Sequence, residues 1–138
     1  MKRKTLIIAV AVFAGIVAIA KQQQPGFIVE HEKDIAKEEP GPHKGGGSTT
    51  AYKFFAGATN SKLQFTKRVL HKGAAIGYHL QKEEEIYYIV AGKGIMTMNG
   101  EKFNVSEGDG ILTLPGSSHG LQQDGDQDLV IIINYEKK

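Results

Sequence analysis

A histidine, an amide and a carboxylate stand at His79, Gln81 and Glu85 in the segment HLQKEEE. Each can offer a lone pair to a divalent cation, the imidazole through nitrogen and the other two through oxygen. His79 and Gln81 are two residues apart, so on an extended strand they point to the same side, together with Ala75 and Gly77. The intervening KEE turns the chain, and Glu85 opens the next apolar run, EIYYIVA, with Tyr87 and Ile89 on its face. If that face looks into a barrel, Glu85 opposes the His79 strand. A second histidine, His119 in LPGSSHG, lies further on, with Leu121 and Gln123 on its face. Mixed imidazole and carboxylate ligands suit Mn, Fe, Zn or Ni.

The elements that must position these groups are short strands. From Ala51 onward AYKFF, KLQFTKRVL, AIGYHL, EIYYIVA, GIMTM, KFNV, GILTL, HGLQQ and DLVIIINY follow one another with turn residues between them. Strands at intervals of about 8 to 12 residues signal an all-β sandwich or barrel. Asn99-Gly100, between two such runs, predicts a two-residue type I′ hairpin, because both residues tolerate positive φ. Asp124-Gly125-Asp126 predicts a second turn. In KLQFTKRVL the alternation of Leu63, Phe65, Lys67 and Val69 predicts a half-buried strand. LVIIINY is apolar on both faces, as in a strand between two covered layers.

A chain of 138 residues is enough for one ordinary domain. It has no cysteine, which excludes disulfides, zinc–thiolate sites and thiol nucleophiles. Removing Lys2, Arg3 and Lys4 from the 17 basic residues leaves 14 against 15 acidic ones, and no basic patch predicts nucleic-acid binding. Residues 1–20 carry MKRK, the apolar run LIIAVAVFAGIVAIA and a small-x-small end at Ala18-Ile19-Ala20, the layout of a signal peptide. Cleaved, it gives a periplasmic or extracellular protein; uncleaved, it anchors the chain to the membrane with the barrel outside the cytoplasm. Residues 21–50 read as an extended lead-in, broken by Pro25, Pro40 and Pro42, with one short helix in HEKDIAKE. Lys44-Gly-Gly-Gly-Ser48 reads as a flexible turn, and His31, His43 and His71 read as isolated, solvent-exposed residues. Gly116-Ser-Ser-His-Gly120 has the letters of a nucleophile elbow, but no histidine follows His119 to complete a triad.

The spacing resembles both motifs of the cupin superfamily. The first, G-x5-H-x-H-x3-E-x6-G, is met by Gly73, His79, Glu85 and Gly92, with Gln81 where the second histidine stands. The second, G-x5-P-x-G-x2-H-x3-N, is met by Gly108, Gly116 and His119, with Leu114 at the proline and Gln123 at the asparagine. The resemblance covers about residues 60–135. It implies a six-stranded double-sheet jelly-roll barrel over residues 51–138, with His79, Gln81, Glu85 and His119 pointing inward as metal ligands. A neutral amide at Gln81 is a weaker ligand for transition metals than imidazole, but two histidines and a carboxylate still form a workable set. In the alternative, a vestigial site, His79, Glu85 and His119 only hydrogen-bond one another or a ligand.

The expectation is an exported barrel that uses a divalent metal to act on a small molecule, most plausibly a sugar or sugar acid. The alternatives are a non-catalytic carbohydrate-binding barrel and a structural protein that only dimerises. A domain this small makes a homodimer an ordinary expectation.

Overall fold

A computed structural model of the chain describes residues 26–137. The apolar segment of residues 1–20, with its signal-peptide and anchor readings, lies outside the described residues. No helix among the described residues is long and apolar enough to cross a membrane.

Ten strands build the fold. They are β1 (Ala36–Pro40), β2 (Ser48–Phe54), β3 (Leu63–Leu70), β4 (Ala75–Leu80) and β5 (Glu85–Ala91), then β6 (Lys93–Met98), β7 (Glu101–Ser106), β8 (Gly110–Thr113), β9 (Ser118–Asp124) and β10 (Leu129–Glu136). A four-residue helix, α1 (Glu32–Ile35), precedes them, and a 3-10 turn at Pro42–Lys44 separates β1 from β2. One sheet runs β1-β2-β3-β10-β5-β8 and the other β4-β9-β6-β7. The two inner faces share one apolar core, with Leu70, Ile89 and Ile131 from the first sheet against Ile76, Met96 and Leu121 from the second. This is the all-β jelly roll that the strand spacing predicts. The Asn99-Gly100 turn joins β6 to β7 with φ of 49° and 87°, the type I′ signature expected there.

The sheets extend beyond the six-stranded barrel that the motifs imply. β1 and the start of β2 arise from residues 36–50, the stretch expected to be a loose lead-in, and the boundary expected at residue 51 falls inside β2. Charge did not keep this stretch out of the sheet. Its glutamates find partners there: Glu39 pairs with Arg68 at 2.8 Å and with Lys53 at 3.2 Å. His71, expected to stand alone, bridges the hydroxyl of Thr50 at 2.8 Å and the carboxylate of Asp128 at 3.0 Å. The triglycine segment is also ordered, because Gly46 O accepts the backbone N–H of Ala75 and Gly47 O that of Gly41.

β3 is half-buried, as its alternation predicts, but its apolar stripe is not the inward one. Thr66, Arg68 and Leu70 point inward and are buried, whereas Leu63, Phe65 and Val69 look outward. Alternation marks two faces but does not say which one is inside. Here the inner face carries polar groups because it lines a cavity. In β10, Leu129, Ile131 and Ile133 are buried while Val130 and Ile132 are only half-buried, so its outer face is not fully covered. Ile86, Tyr88 and Leu112, each about half exposed, are further outward-facing apolar residues of this sheet.

The core argument fixes a stability outcome. Ile131 is fully buried at the centre of the six-stranded sheet. Ile131→Ala is expected to lower the unfolding free energy by about 2–5 kcal/mol, and Ile132→Ala by clearly less. Urea unfolding followed by circular dichroism checks the pair.

Candidate functional site

The site forms where both sheets present polar side chains to one end of the barrel. His79 on β4 and His119 on β9 are directly paired across the antiparallel ladder. Such partners project side by side from one face, and the rings meet edge to face with centroids 4.7 Å apart. The register of this ladder shifts between Ile76 and His79. That irregularity explains why Ile76 and His79, three residues apart, both face inward: Ile76 enters the core and His79 the cavity. Strict alternation, which predicts Ala75 and Gly77 on the His79 face, does not survive the bulge.

Glu85 begins β5 with Tyr87 and Ile89 on its buried face, as the sequence predicts. Its ladder partner on β8 is Thr113, whose hydroxyl lies 2.9 Å from His119 Nδ1. With Nδ1 engaged, His119 turns Nε2 toward Glu85 Oε1 at 3.1 Å. The spacing is that of an ion pair, yet the alignment is not that of a hydrogen bond. Both atoms are buried and neither has a hydrogen-bond partner. A buried imidazole nitrogen and carboxylate oxygen left in this state cost free energy unless something satisfies both. Two ligand atoms each about 2.1 Å from one ion, at right angles to each other, stand about 3.0 Å apart. The pair thus joins two donor types that ligate divalent metals, at a distance that is equally that of a buried ion pair.

His79 has its tautomer set by the backbone. Its Nδ1 donates to the carbonyl of Gly77 at 2.8 Å, which leaves Nε2 with the lone pair. Gln81 is buried, lines the same cavity as His79, and ties two elements together: its N–H donates to Ser117 O and its carbonyl accepts from Gly116 N. The four residues singled out from the sequence thus lie in one region. Among the described residues, however, no three histidines or carboxylates already stand in ligating geometry. Of the four, only Glu85 and His119 stand at ion-pair distance of each other. Gln123, on the His119 face, is a latch elsewhere: its amide holds Gly73 N, Gly125 O and Gln127 O.

A cavity of about 500 Å³ is lined by His79, Gln81 and Glu85, with His119 fully buried behind Glu85 and outside its lining. Tyr87 and Tyr135 border it next to Glu85. Burial, the charge of Glu85 and a hydrogen bond to that carboxylate push the Tyr87 phenol well above the usual tyrosine range. Tyr135 is raised as well, by burial and then by Glu85 and Glu83. Arg68 lines the cavity from β3 of the same sheet, 5% exposed, donating from Nη1 to Thr49 Oγ1 and from Nη2 to Glu39, both at 2.8 Å. Its Nε is buried without a partner. Burial alone would raise the Glu39 carboxyl, but bonds from Arg68 and Lys53, with their charges, outweigh it and hold Glu39 below its usual range.

Sequence reading missed His43. Its ring lies flat on that of His79, with centroids 3.5 Å apart and planes 6° from parallel. The backbone reaches this position by a strained route, with His43 and Lys44 at φ of 53° and 63°. Such conformations cost about 1–3 kcal/mol each outside glycine and persist only where packing enforces them. The enforcement comes from Gly45 and Gly77: a Cβ on either would stand 2.0 Å from a backbone oxygen, Ala75 O or His43 O respectively. Partial burial and the neighbouring His79 lower the His43 pKa, and Glu85 opposes that only in part.

The buried phenol gives a pH prediction. Unfolded, Tyr87 ionises near pH 10; folded, it resists ionisation. A folded pKa above the unfolded one contributes stability that is complete below about pH 10 and is lost as pH rises beyond it. The unfolding free energy is expected to fall above about pH 10, and less steeply in Tyr87→Phe. Urea unfolding between pH 8 and 11 reads both slopes, and identical slopes would contradict the assignment.

Comparison with known proteins agrees with this fold. The Cupin domain family model matches residues 67–135, half of the chain. An oxalate-binding protein of Thermotoga maritima is 35% identical over 71 residues, covering 51% of this chain and 59% of that one. An uncharacterised protein of Methanocaldococcus jannaschii is 39% identical over 67 residues, covering 49% and 48%. The chain therefore spans about half to three-fifths of the length of these curated relatives. The crystal structure of a predicted oxalate decarboxylase from Thermotoga maritima superposes with a TM-score of 0.73 at 26% identity, covering 80% of this chain and all of that one. A protein from Photorhabdus luminescens, 17% identical with a TM-score of 0.64, shares the fold. From its two spaced motifs, its jelly-roll sheets and the matched family model, this chain belongs to the cupin family.

Proposed function

We propose that this cupin binds a small carboxylate of the oxalate class at a divalent metal held by His79, Glu85 and His119, with Gln81 beside them. The observation that carries the proposal is the buried pair Glu85 Oε1 and His119 Nε2, 3.1 Å apart and without hydrogen-bond partners. When bound, the metal would supply a Lewis-acidic centre for carboxylate oxygens. The chain's own groups do the rest. Thr113 orients His119, Gly77 O orients His79, and Tyr87 and Tyr135 keep protonated hydroxyls beside Glu85.

Two observations narrow the ligand from the sugar or sugar acid expected from compartment alone. Arg68 and Lys53 line the cavity and share the one carboxylate of Glu39, and one Arg68 N–H is unengaged. Two similar proteins, both from Thermotoga maritima, are named for oxalate, whereas a structure named a putative sugar phosphate isomerase is only 18% identical and shares the fold alone. A short dianion fits both. The proposal is one of binding; catalysis is a further property for the metal-loaded protein to show. Export through residues 1–20 belongs to the same reading, supported by their charge and hydropathy layout. So does a homodimer, supported by the half-exposed apolar side chains on the outer face of the six-stranded sheet.

Isothermal titration of metal-stripped protein with Mn²⁺ or Zn²⁺ tests the reading. One ion per chain is expected, with affinity at least about 100-fold weaker in His119→Ala and in Glu85→Gln. Oxalate is expected to bind the metal-loaded protein and not the stripped one. A neutral sugar binding equally well to stripped protein and to both variants would favour the metal-free carbohydrate-binding alternative.

A further inference from the structure

β3 is built with its polar side inward. Leu63, Phe65 and Val69 look outward around Lys67, with Leu63 56% exposed, while Gln64, Thr66 and Arg68 line the cavity. Burying polar groups costs free energy unless they are bonded, and exposing leucine recovers none of it. Core packing gives no reason for this order, since the reverse would take more apolar area out of water. The inner face therefore has polar matter to meet.

Arg68 meets its own within the protein. Thr49 and Glu39 accept from its two Nη groups, and Lys53 shares the Glu39 carboxylate. Those charges are partly compensated, so this end of the cavity does not call for a second anion. Gln64 and Thr66 are left less satisfied. Thr66, 5% exposed, accepts from Gln64 Nε2 at 2.9 Å. Its own hydroxyl proton finds no acceptor among the described residues, and the Gln64 carbonyl oxygen finds no donor there.

The ladder fixes where this pair stands. Gln64, Tyr135 and Glu85 form one row across three strands, and Thr66, Ile133 and Tyr87 form the next. Lys53 is the partner of Thr66 on its other side. Strands about 4.8 Å apart put the backbones of Gln64 and Glu85 roughly 10 Å from each other. Oxalate, two carboxylates joined directly, is too short to touch both ends. The cavity of about 500 Å³ has room for a longer molecule, because volumes of about 300–1,000 Å³ enclose drug-sized ligands.

We infer that Gln64 and Thr66 form a second subsite, which receives the hydroxyl groups of a carboxylate longer than oxalate, of the aldaric acid type, whose carboxylate end lies at His79 and Glu85. A hydroxyl both donates and accepts, so it can take the Thr66 proton and donate to the Gln64 carbonyl. A second carboxylate only accepts and would leave that carbonyl unpaired. This rests on the carboxylate-binding reading above and adds the length and hydroxylation of the ligand; oxalate fills the metal end alone.

Titration calorimetry on the full, metal-loaded chain tests it with oxalate, adipate and glucarate. Adipate and glucarate are dicarboxylates of equal charge and chain length that differ only in the hydroxyl groups of glucarate. Wild type is expected to bind glucarate at least about tenfold more tightly than adipate. In Thr66→Val and in Gln64→Leu that ratio is expected to fall to about threefold or less, and in Thr66→Ser, which keeps the hydroxyl, to stay near the wild-type value. Rescue by serine separates a lost hydrogen bond from a packing defect. A wild-type ratio near one overturns the inference. So does a ratio that survives both Thr66→Val and Gln64→Leu, because the preference then arises from hydroxyl groups at the metal end. In either case oxalate bound to wild type leaves the carboxylate-binding reading standing. If none of the three acids binds the metal-loaded protein, that reading fails and this inference with it.

Discussion

The site depends on one contact, the approach of His119 Nε2 to Glu85 Oε1 in the barrel interior. Neither group tolerates isolation in a low-dielectric place, and here they meet without hydrogen-bond alignment. Everything around them serves to hold that arrangement. Thr113 fixes one side of the imidazole, Tyr87 donates to the carboxylate, and Leu121 and Ile89 follow two and four residues further along the same strands as core. A buried polar pair of this kind is weak evidence for stability, since apolar residues of similar volume often serve as well.

The fold turns strand geometry into ligand geometry. His79 and His119 become neighbours because they are ladder partners, and Glu85 joins them because β5 opens with that residue facing inward. The register shift in β4 is the detail that lets one strand serve both core and cavity. Without it, burying Ile76 would turn His79 outward. The opposite wall follows a different logic. β3 places Thr66 and Arg68 inside at the cavity end and Leu70 inside at the core end, so one strand face passes from site to core along its length.

Much of this was legible in the sequence, for physical reasons that can be named. The Asn99-Gly100 hairpin was readable because few residue pairs accept two successive positive φ values. Glu85 could be told from Glu83 and Glu84 because its spacing from His79 and its place before Tyr87 and Ile89 allow one inward register. His119 was found from its distance to Gly108 and Gly116. The inward face of β3 was not legible, because Leu63, Phe65 and Val69 look like a core stripe and instead cover the outside. Nor was the role of residues 36–50. Their glutamates and glycines resemble a solvated linker until Arg68, 29 residues beyond Glu39, supplies a partner. His43 was invisible for the same reason. Its contact with His79 is set by the packing of Gly45 and Gly77 across two segments, and no local pattern records it.

X-ray absorption spectroscopy of the Mn²⁺- or Zn²⁺-loaded protein bears most directly on the central claim, that the buried imidazole and carboxylate share one ion. The account predicts a first shell of nitrogen and oxygen at about 2.0–2.2 Å with the outer-shell scattering of coordinated imidazole, lost in His119→Ala. A shell of oxygen alone, or a spectrum that His119→Ala leaves unchanged, would contradict it.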